Sequence, residues 1–365
     1  MGEEAIRVAV VHDWLVTKGG AERVLKEILS LFPNADIFTL VDFLSPKDRQ
    51  EILRGKKTTT TFIQHLPFAK KHFRNYLPLF PKAMESLDLS GYDLIISSSW
   101  AFAKGVRTHK NQKHICYCHT PIRYAWDLYE EYTKNLPPIK KQIVKLALAY
   151  IRHWDRKSNN VDAFIANSRC VAKRIERVYG KESYLIHPPV DVEHFRPEKI
   201  EKEDFYLTLS RLVPYKKTKL IVEAFNQMPQ KRLIVIGDGE ELESIKNIAK
   251  SNITILGYQP DEVVKSYMQK AKAFVYAALE DFGIVMAEAL AAGTPVIAYG
   301  ECGASDIVCD NCGVKFFSQD VNAIIDAVKR LEERKFDYHA LMDIALQFSR
   351  ENFRGKFIKV VDEVL

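Results

Sequence analysis

A chain of 365 residues is long enough for two domains, each with its own core. Its 47% apolar and 27% charged residues are those of an ordinary globular protein, and no run comes near the roughly 18 uncharged apolar residues of a membrane span. The net charge of +6 is uneven: 33 Lys and Arg face 24 Asp and Glu over residues 1–203 (net +9), against 20 and 23 afterwards (net −3), so an anionic partner is expected at the first half. No nucleic-acid module is recognisable, which leaves an anionic membrane surface as the other candidate. The N-terminus lacks the pattern of a signal peptide, so a cytoplasmic protein is expected, with its six cysteines as reduced thiols. Cys309-x2-Cys312, with Cys302 nearby and Cys116-x-Cys118 far upstream, lacks a proper second pair for zinc, and no metal is expected.

Residues 6–11 predict a buried strand, with His12-Asp13-Trp14 at its carboxyl end. Lys18-Gly19-Gly20 then opens a helix from residue 21 to about residue 32. Glycines let a backbone approach phosphate, and a helix N-terminus favours negative charge, although a structural turn explains the same residues. Residues 55–84 hold six Lys and Arg and no acid. Lys70, Lys71 and Arg74 beside Phe68, Phe73 and Leu77 predict a short basic amphipathic segment, suited to an anionic bilayer or to a solvated helix over the domain. Residues 92–99 predict a second strand, and the strand from residue 114 runs into His119-Thr120-Pro121. A lone histidine is more often structure than chemistry, but His119 falls on the ligand-binding edge of an α/β sheet. Residues 162–168 and 183–189 complete a first sheet, charged residues 198–204 form a linker, and residues 205–209 start a second domain.

That strand ends in Ser210-Arg211, with Lys216-Lys217 before a helix over 218–228. Arg211 and Lys216 suit a diphosphate clamp, the guanidinium engaging two oxygens and the ammonium acting as a point charge; a solvated basic loop is the alternative. Gly237-x-Gly239 lacks the third glycine of a nicotinamide site. The most informative stretch is residues 280–300, EDFGIVMAEALAAGTPVIAYG, which follows a strand-like run over 273–277 and contains another over 296–298. Glu280 precedes the predicted helix and Glu288 lies inside it; Gly293 ends the helix and Pro295 follows. Glu280 is free to accept from a diol, the amides of Gly283, Ile284 and Val285 suit anionic or hydroxyl oxygens, and Glu288 suits a second diol such as a ribose. A glutamate in a first turn is also favoured by the helix dipole alone.

Glu280-x7-Glu288 with Phe-Gly between, followed by Ala-x-Ala-Ala-Gly-Thr-Pro-Val-Ile, resembles the signature of glycosyltransferase family 4, and the likeness extends over nearly the whole chain. The resemblance implies an α/β protein of the GT-B fold, two Rossmann-like parallel-sheet domains facing across a cleft. HPPVDVEHFRP, residues 187–197, resembles the interdomain crossover, giving an acceptor-side domain over 1–197, a linker over 198–204, a nucleotide-sugar domain over 205–347 and a C-terminal helix over 348–365 that braces the first domain. It implies that Gly19 and Gly20 approach the donor phosphates, that His119 contacts the donor sugar, and that Arg211 and Lys216 stabilise the departing diphosphate. Gln259 and Asp261 follow the segment that reads the base in such enzymes, and Asp261 suits the two N–H donors of guanine as well as a helix cap. HTPIRYAWDLYEEY, residues 119–132, is similar to bacterial mannosyl- and D-rhamnosyltransferases of O-antigen synthesis, with Asp13, Arg123, Tyr124 and Trp126 on the acceptor side. The expectation is a retaining, metal-independent hexosyltransferase, peripheral on the inner face of the membrane, using a GDP-sugar and a lipid-linked saccharide acceptor. A UDP-sugar transferase, an epimerase of the same fold and a non-catalytic sugar-nucleotide binder are the rivals.

Overall fold

In the computed structural model, which describes residues 6–127, 133–134 and 136–365, the chain divides into two compact units. The first comprises residues 1–188 with 354–365, and the second residues 189–353. The first is built on seven parallel strands: β1 (Val8–His12), β2 (Asp36–Thr39), β3 (Thr58–Thr60), β4 (Leu94–Ser99), β5 (Lys113–Cys118), β6 (Ala163–Ala166) and β7 (Ser183–Leu185), ordered β3-β2-β1-β4-β5-β6-β7. The second has six: β8 (Tyr206–Leu209), β9 (Leu233–Ile236), β10 (Ile253–Gly257), β11 (Ala273–Tyr276), β12 (Val296–Tyr299) and β13 (Gly313–Phe316), ordered β10-β9-β8-β11-β12-β13. Central strands such as β4 and β11 are buried along their whole length, as expected of parallel strands covered on both faces.

Strand order reverses between β1 and β4 in the first sheet and between β8 and β11 in the second. A crevice opens outside the carboxyl ends of strands at such a switch point, because successive connections leave towards opposite faces. His12 ends β1 and Ser98 lies near the end of β4, in register with it. Arg211 follows β8, and Glu280 follows β11.

Five helices matter below: α1 (Gly20–Leu31), α2 (Pro138–Lys157), α3 (Thr218–Phe225), α4 (Ile284–Ala291) and α5 (Arg350–Val364). The end of α4 shows how locally the sequence dictates structure. Gly293 adopts φ +67°, its N–H donates to Leu290 O at 2.9 Å, and the Thr294 N–H donates to Ala289 O at 2.9 Å. This is the paired closure of a Schellman motif, and it needs the left-handed backbone that glycine adopts without cost. From Arg354 onward, α5 belongs to the first unit. There Arg354 pairs with Glu27, Phe357 packs edge-on to Phe32 with centroids 6.4 Å apart, and Tyr184 donates to Glu363 at 2.8 Å.

The basic segment of residues 55–84 differs from the expected amphipathic element. Thr58–Thr60 is an edge strand, and the remainder is a series of short helical turns. Phe73, expected on the outer face, is 2% exposed and stacks on Phe80 within the core. Arg74 lies over its ring at 4.6 Å, so the large aromatic surface attracts both core and cation. Lys70, Lys71 and Arg74 are exposed, as is Phe68 at 80%.

Candidate functional site

In the second unit, the loops after β8 and β11 bring three polar side chains together. Lys216 Nζ pairs with Glu280 Oε1 and donates to the Tyr276 hydroxyl at 3.1 Å, while that hydroxyl donates to Glu280 Oε1 at 3.2 Å. Burial pushes the Tyr276 phenol well above its ordinary pKa and Glu280 pushes it further, so the hydroxyl stays protonated. Of the two neighbouring lysines, Lys216 reaches this cluster, whereas Lys217 is exposed with φ +58° at the start of α3. Arg211 is exposed in the same loop.

The loop from Glu280 to α4 is fixed by its neighbours. The Phe282 ring packs on Phe348 with centroids 5.5 Å apart, and the Gly303 N–H donates to Glu280 O at 2.9 Å. Gly283 has φ +82°, and a Cβ there would lie 2.4 Å from Met286 Cε. The left-handed backbone therefore favours glycine, while the flexible end of Met286 can move aside for a Cβ. None of the N–H groups of Gly283, Ile284 and Val285 has a backbone acceptor among the described residues, so the open end of α4 offers donors beside Glu280. Glu288 lies on α4 and is 4% exposed. Gln259 Nε2 donates to Leu256 O at 2.7 Å and folds back on its own turn, and exposed Asp261 begins the next helix after Pro260.

The first unit gathers a second cluster at its own switch point. Asp13 is buried, and its carboxylate accepts from four amides: Trp100 (2.6 Å), Ala101 (2.8 Å), Phe102 (2.5 Å) and Ala103 (2.7 Å). Burial raises its pKa and these amides offset part of the rise; every short contact of the carboxylate holds the loop after β4. His119 follows β5, its N–H bonded to Ser99 O at 2.8 Å, and its Nε2 lies 2.9 Å from Ser98 Oγ. Burial lowers its pKa to about 3, with His12 contributing, so the ring is neutral at ordinary pH. Gly19 precedes α1, and its N–H donates to Glu22 Oε2 at 2.8 Å; a Cβ on Gly20 would meet nothing within 4 Å. Gly20 is exposed and has room on the side where a Cβ would stand, whereas the amide of Gly19 is already occupied.

Trp126 is half-buried against the core, its indole N–H donating to Asp155 at 2.8 Å with Arg156 stacked 4.8 Å above the ring. Tyr124 packs on the same core and Arg123 is half-buried beside it. The remainder of the string, residues 128–132, lies outside the described residues. Residue-level reading of the sequence missed Tyr276, Ser98 and Glu22. Their signals were a tyrosine ending one strand, a serine run ending another, and a glutamate three residues after Gly19. Cys309 and Cys312 close a local turn, the Cys309 N–H donating to Cys312 Sγ at 2.8 Å.

The model for glycosyltransferase family 4 matches residues 18–194, and that for group 1 glycosyl transferases matches residues 190–346. A GDP-mannose-dependent α-(1-6)-phosphatidylinositol monomannoside mannosyltransferase of Mycolicibacterium smegmatis is 28% identical over 204 residues, 47% of this chain and 53% of that protein. An α-monoglucosyldiacylglycerol synthase of Streptococcus pneumoniae is 24% identical over 257 residues, 62% of this chain and 56% of that protein. The chain thus spans about half the length of the curated relatives it matches. Among solved structures, Anabaena HepE in complex with UDP superposes with a TM-score of 0.71 over 98% of this chain and 100% of that one, at 17% identity. That likeness shows the fold, GT-B, which two parallel-sheet units of seven and six strands express here. With both family models matching in succession along residues 18–346, the chain belongs to glycosyltransferase family 4.

Proposed function

We propose that the protein is a retaining hexosyltransferase that moves mannose or D-rhamnose from a GDP-sugar to a lipid-linked saccharide in cell-surface polysaccharide synthesis. The observation that carries this reading is the Lys216–Glu280–Tyr276 cluster at the β8/β11 switch point, beside the open amides that begin α4. Arg211 and Lys216 bind the diphosphate and stabilise its charge as the glycosidic bond breaks. In the free protein Glu280 holds Lys216; when a donor arrives, the ammonium turns to the phosphates and Glu280 accepts from sugar hydroxyls. The amides of Gly283, Ile284 and Val285 orient the sugar, Glu288 holds the ribose, and Gln259 and Asp261 face the base. On the first unit Gly20, beside Gly19, approaches the phosphates. Asp13 shapes the acceptor side by fixing the loop after β4, and Arg123, Tyr124 and Trp126 line it. No metal takes part; the cations Arg211 and Lys216 supply the positive charge.

The mannose preference is supported by the mycobacterial relative, whose name specifies GDP-mannose and a lipid acceptor. A uridine donor is the second reading, because HepE holds UDP. The enzyme works at the inner face of the membrane. A second exposed surface supports this: Ile139, Ile143, Leu146 and Tyr150 recur every three or four residues along α2, each 47% to 80% exposed. Lys140, Lys141, Lys145, Arg156 and Lys157 lie on the same helix. Together with Lys70, Lys71 and Arg74 they give the first unit cationic and apolar groups suited to anionic lipid. No helix among the described residues is long and apolar enough to cross a membrane.

Transfer of labelled mannose from GDP-mannose to a polyprenyl-linked saccharide tests the reading. Glu280→Gln should lower kcat about 10²- to 10³-fold, as loss of one group matched to the transition state does. Undiminished transfer by that variant would remove Glu280 from the chemistry. Consumption of the donor without any acceptor would instead identify an epimerase.

A further inference from the structure

The carboxyl ends of β1, β4 and β5 deliver three side chains in a row. Ser98 Oγ lies 3.1 Å from His12 Nδ1 and 2.9 Å from His119 Nε2, so one hydroxyl bridges two imidazoles. On the far side of His12, Nε2 lies 3.6 Å from Glu22 Oε1 and has no hydrogen-bond partner among the described residues, although His12 is fully buried. Glu22 itself is pinned through its other oxygen by the Gly19 N–H at 2.8 Å. The row therefore runs Glu22, His12, Ser98, His119, from the glycine loop to the ligand-binding edge. Trp100 closes one side, edge-on to His12 at 4.9 Å and to His119 at 5.8 Å.

Proton counting gives the row a direction. A serine hydroxyl has one proton, so Ser98 donates to one ring and accepts from the other. For a neutral His12, accepting from its Nδ1–H would turn a buried Nε2 lone pair towards the Glu22 carboxylate, negative against negative. With the proton on Nε2, the N–H dipole of His12 faces the carboxylate, Nδ1 accepts from Ser98, and Ser98 accepts from His119 Nε2–H. The hydrogen bond made by one ring nitrogen sets the state of the other. His119 Nδ1 is then an unprotonated acceptor, and no protein group among the described residues bonds to it.

We propose that Glu22, His12 and Ser98 are positioning residues that hold His119 in the Nε2–H form, so that its Nδ1 accepts a hydrogen bond from a ligand hydroxyl, on the donor sugar or on the acceptor. The identity of that ligand rests on the glycosyltransferase reading; the direction of the row does not. His119 in this form orients a hydroxyl by its proton and never donates to it.

Imidazole ¹⁵N spectra of the full-length protein labelled at its ten histidines test the direction, with His12→Gln and His119→Asn assigning the signals. The expected result is a protonated Nε2 and an unprotonated Nδ1 for both His12 and His119. Protonation of His119 at Nδ1 would overturn the proposal, whatever the activity. In Ser98→Ala the His119 signals should shift towards a mixture of the two forms while the melting temperature stays within a few degrees, and kcat should fall roughly tenfold or more. Ser98→Thr, which keeps the hydroxyl, should restore both the single form and the rate. Unchanged His119 signals in Ser98→Ala would also overturn the relay. Failure of the glycosyltransferase reading is seen separately, as wild-type protein that transfers no sugar while its histidines still show the expected forms.

Discussion

His114 and His119 both follow from the cost of burying an imidazolium, but they serve different ends. His114 is fully buried, with Nε2 2.8 Å from Ser97 Oγ and Nδ1 3.0 Å from Asn160 O. Burial lowers its pKa from 6.5 to about 4. The unfolded chain therefore binds a proton that the folded chain does not between those values. Its contribution is fully present above pH 6.5 and is lost as pH falls through about 4, an effect of about 3 kcal/mol. Urea melts from pH 7 to pH 4 should show a steeper loss of stability for the wild type than for His114→Gln; equal slopes would contradict this. His119 differs in having one ring nitrogen towards Ser98 and the other without a protein partner among the described residues, so its position in the strand order, rather than burial, is what makes it the candidate for function. From sequence, His114 begins its strand and His119 follows the strand's end on the ligand-binding edge, and that placement together with the resemblance separated them.

At the scale of elements, α2 is anchored by a buried ion pair. Lys104 and Asp155 lie 2.9 Å apart with side chains 2% and 0% exposed, and Asp155 also accepts from Trp126 and Tyr179. Removing one partner leaves the other charge buried, so Lys104→Met should cost about 3–5 kcal/mol in urea unfolding, and adding Asp155→Leu should recover part of it. A Lys104→Met variant as stable as wild type would show that the pair does not anchor the helix. This network explains why Trp126, read from sequence as a pocket residue, has its indole nitrogen committed to the core. The outer stripe of α2 went unread because α2 carries apolar residues on two faces, and periodicity alone does not say which face a fold will bury. By contrast, α4 was legible to its last residue because Gly293 and Pro295 mark its end chemically. Edge strand β3 was missed because its three threonines sit inside a run of cations that suggested a different element.

For the molecule as a whole, the excess of cations in the first half of the sequence includes the exposed Lys70, Lys71 and Arg74 and the cations of α2 on the first unit. Ile143→Asp with Leu146→Asp should cut sedimentation with phosphatidylglycerol vesicles at least tenfold, since each change removes apolar area and adds like charge. Equal binding by that variant would place the membrane contact elsewhere. The alternation of strands and helices, the two sheets and the helix that carries Glu288 were legible because each is written locally. The Lys216–Glu280–Tyr276 and Glu22–His12–Ser98–His119 clusters were not, because strand order, which no local pattern encodes, makes their residues neighbours. The proposed function requires the β8/β11 switch point to bind a nucleoside diphosphate sugar. Thermal melting with GDP, GDP-mannose, UDP and UDP-glucose tests it most directly, since a ligand that binds only the folded chain raises the melting temperature. The expected result is a rise with the guanine nucleotides that exceeds the rise with uridine nucleotides and disappears in Lys216→Met; no shift with any nucleotide, or one that survives Lys216→Met undiminished, would overturn the proposed function.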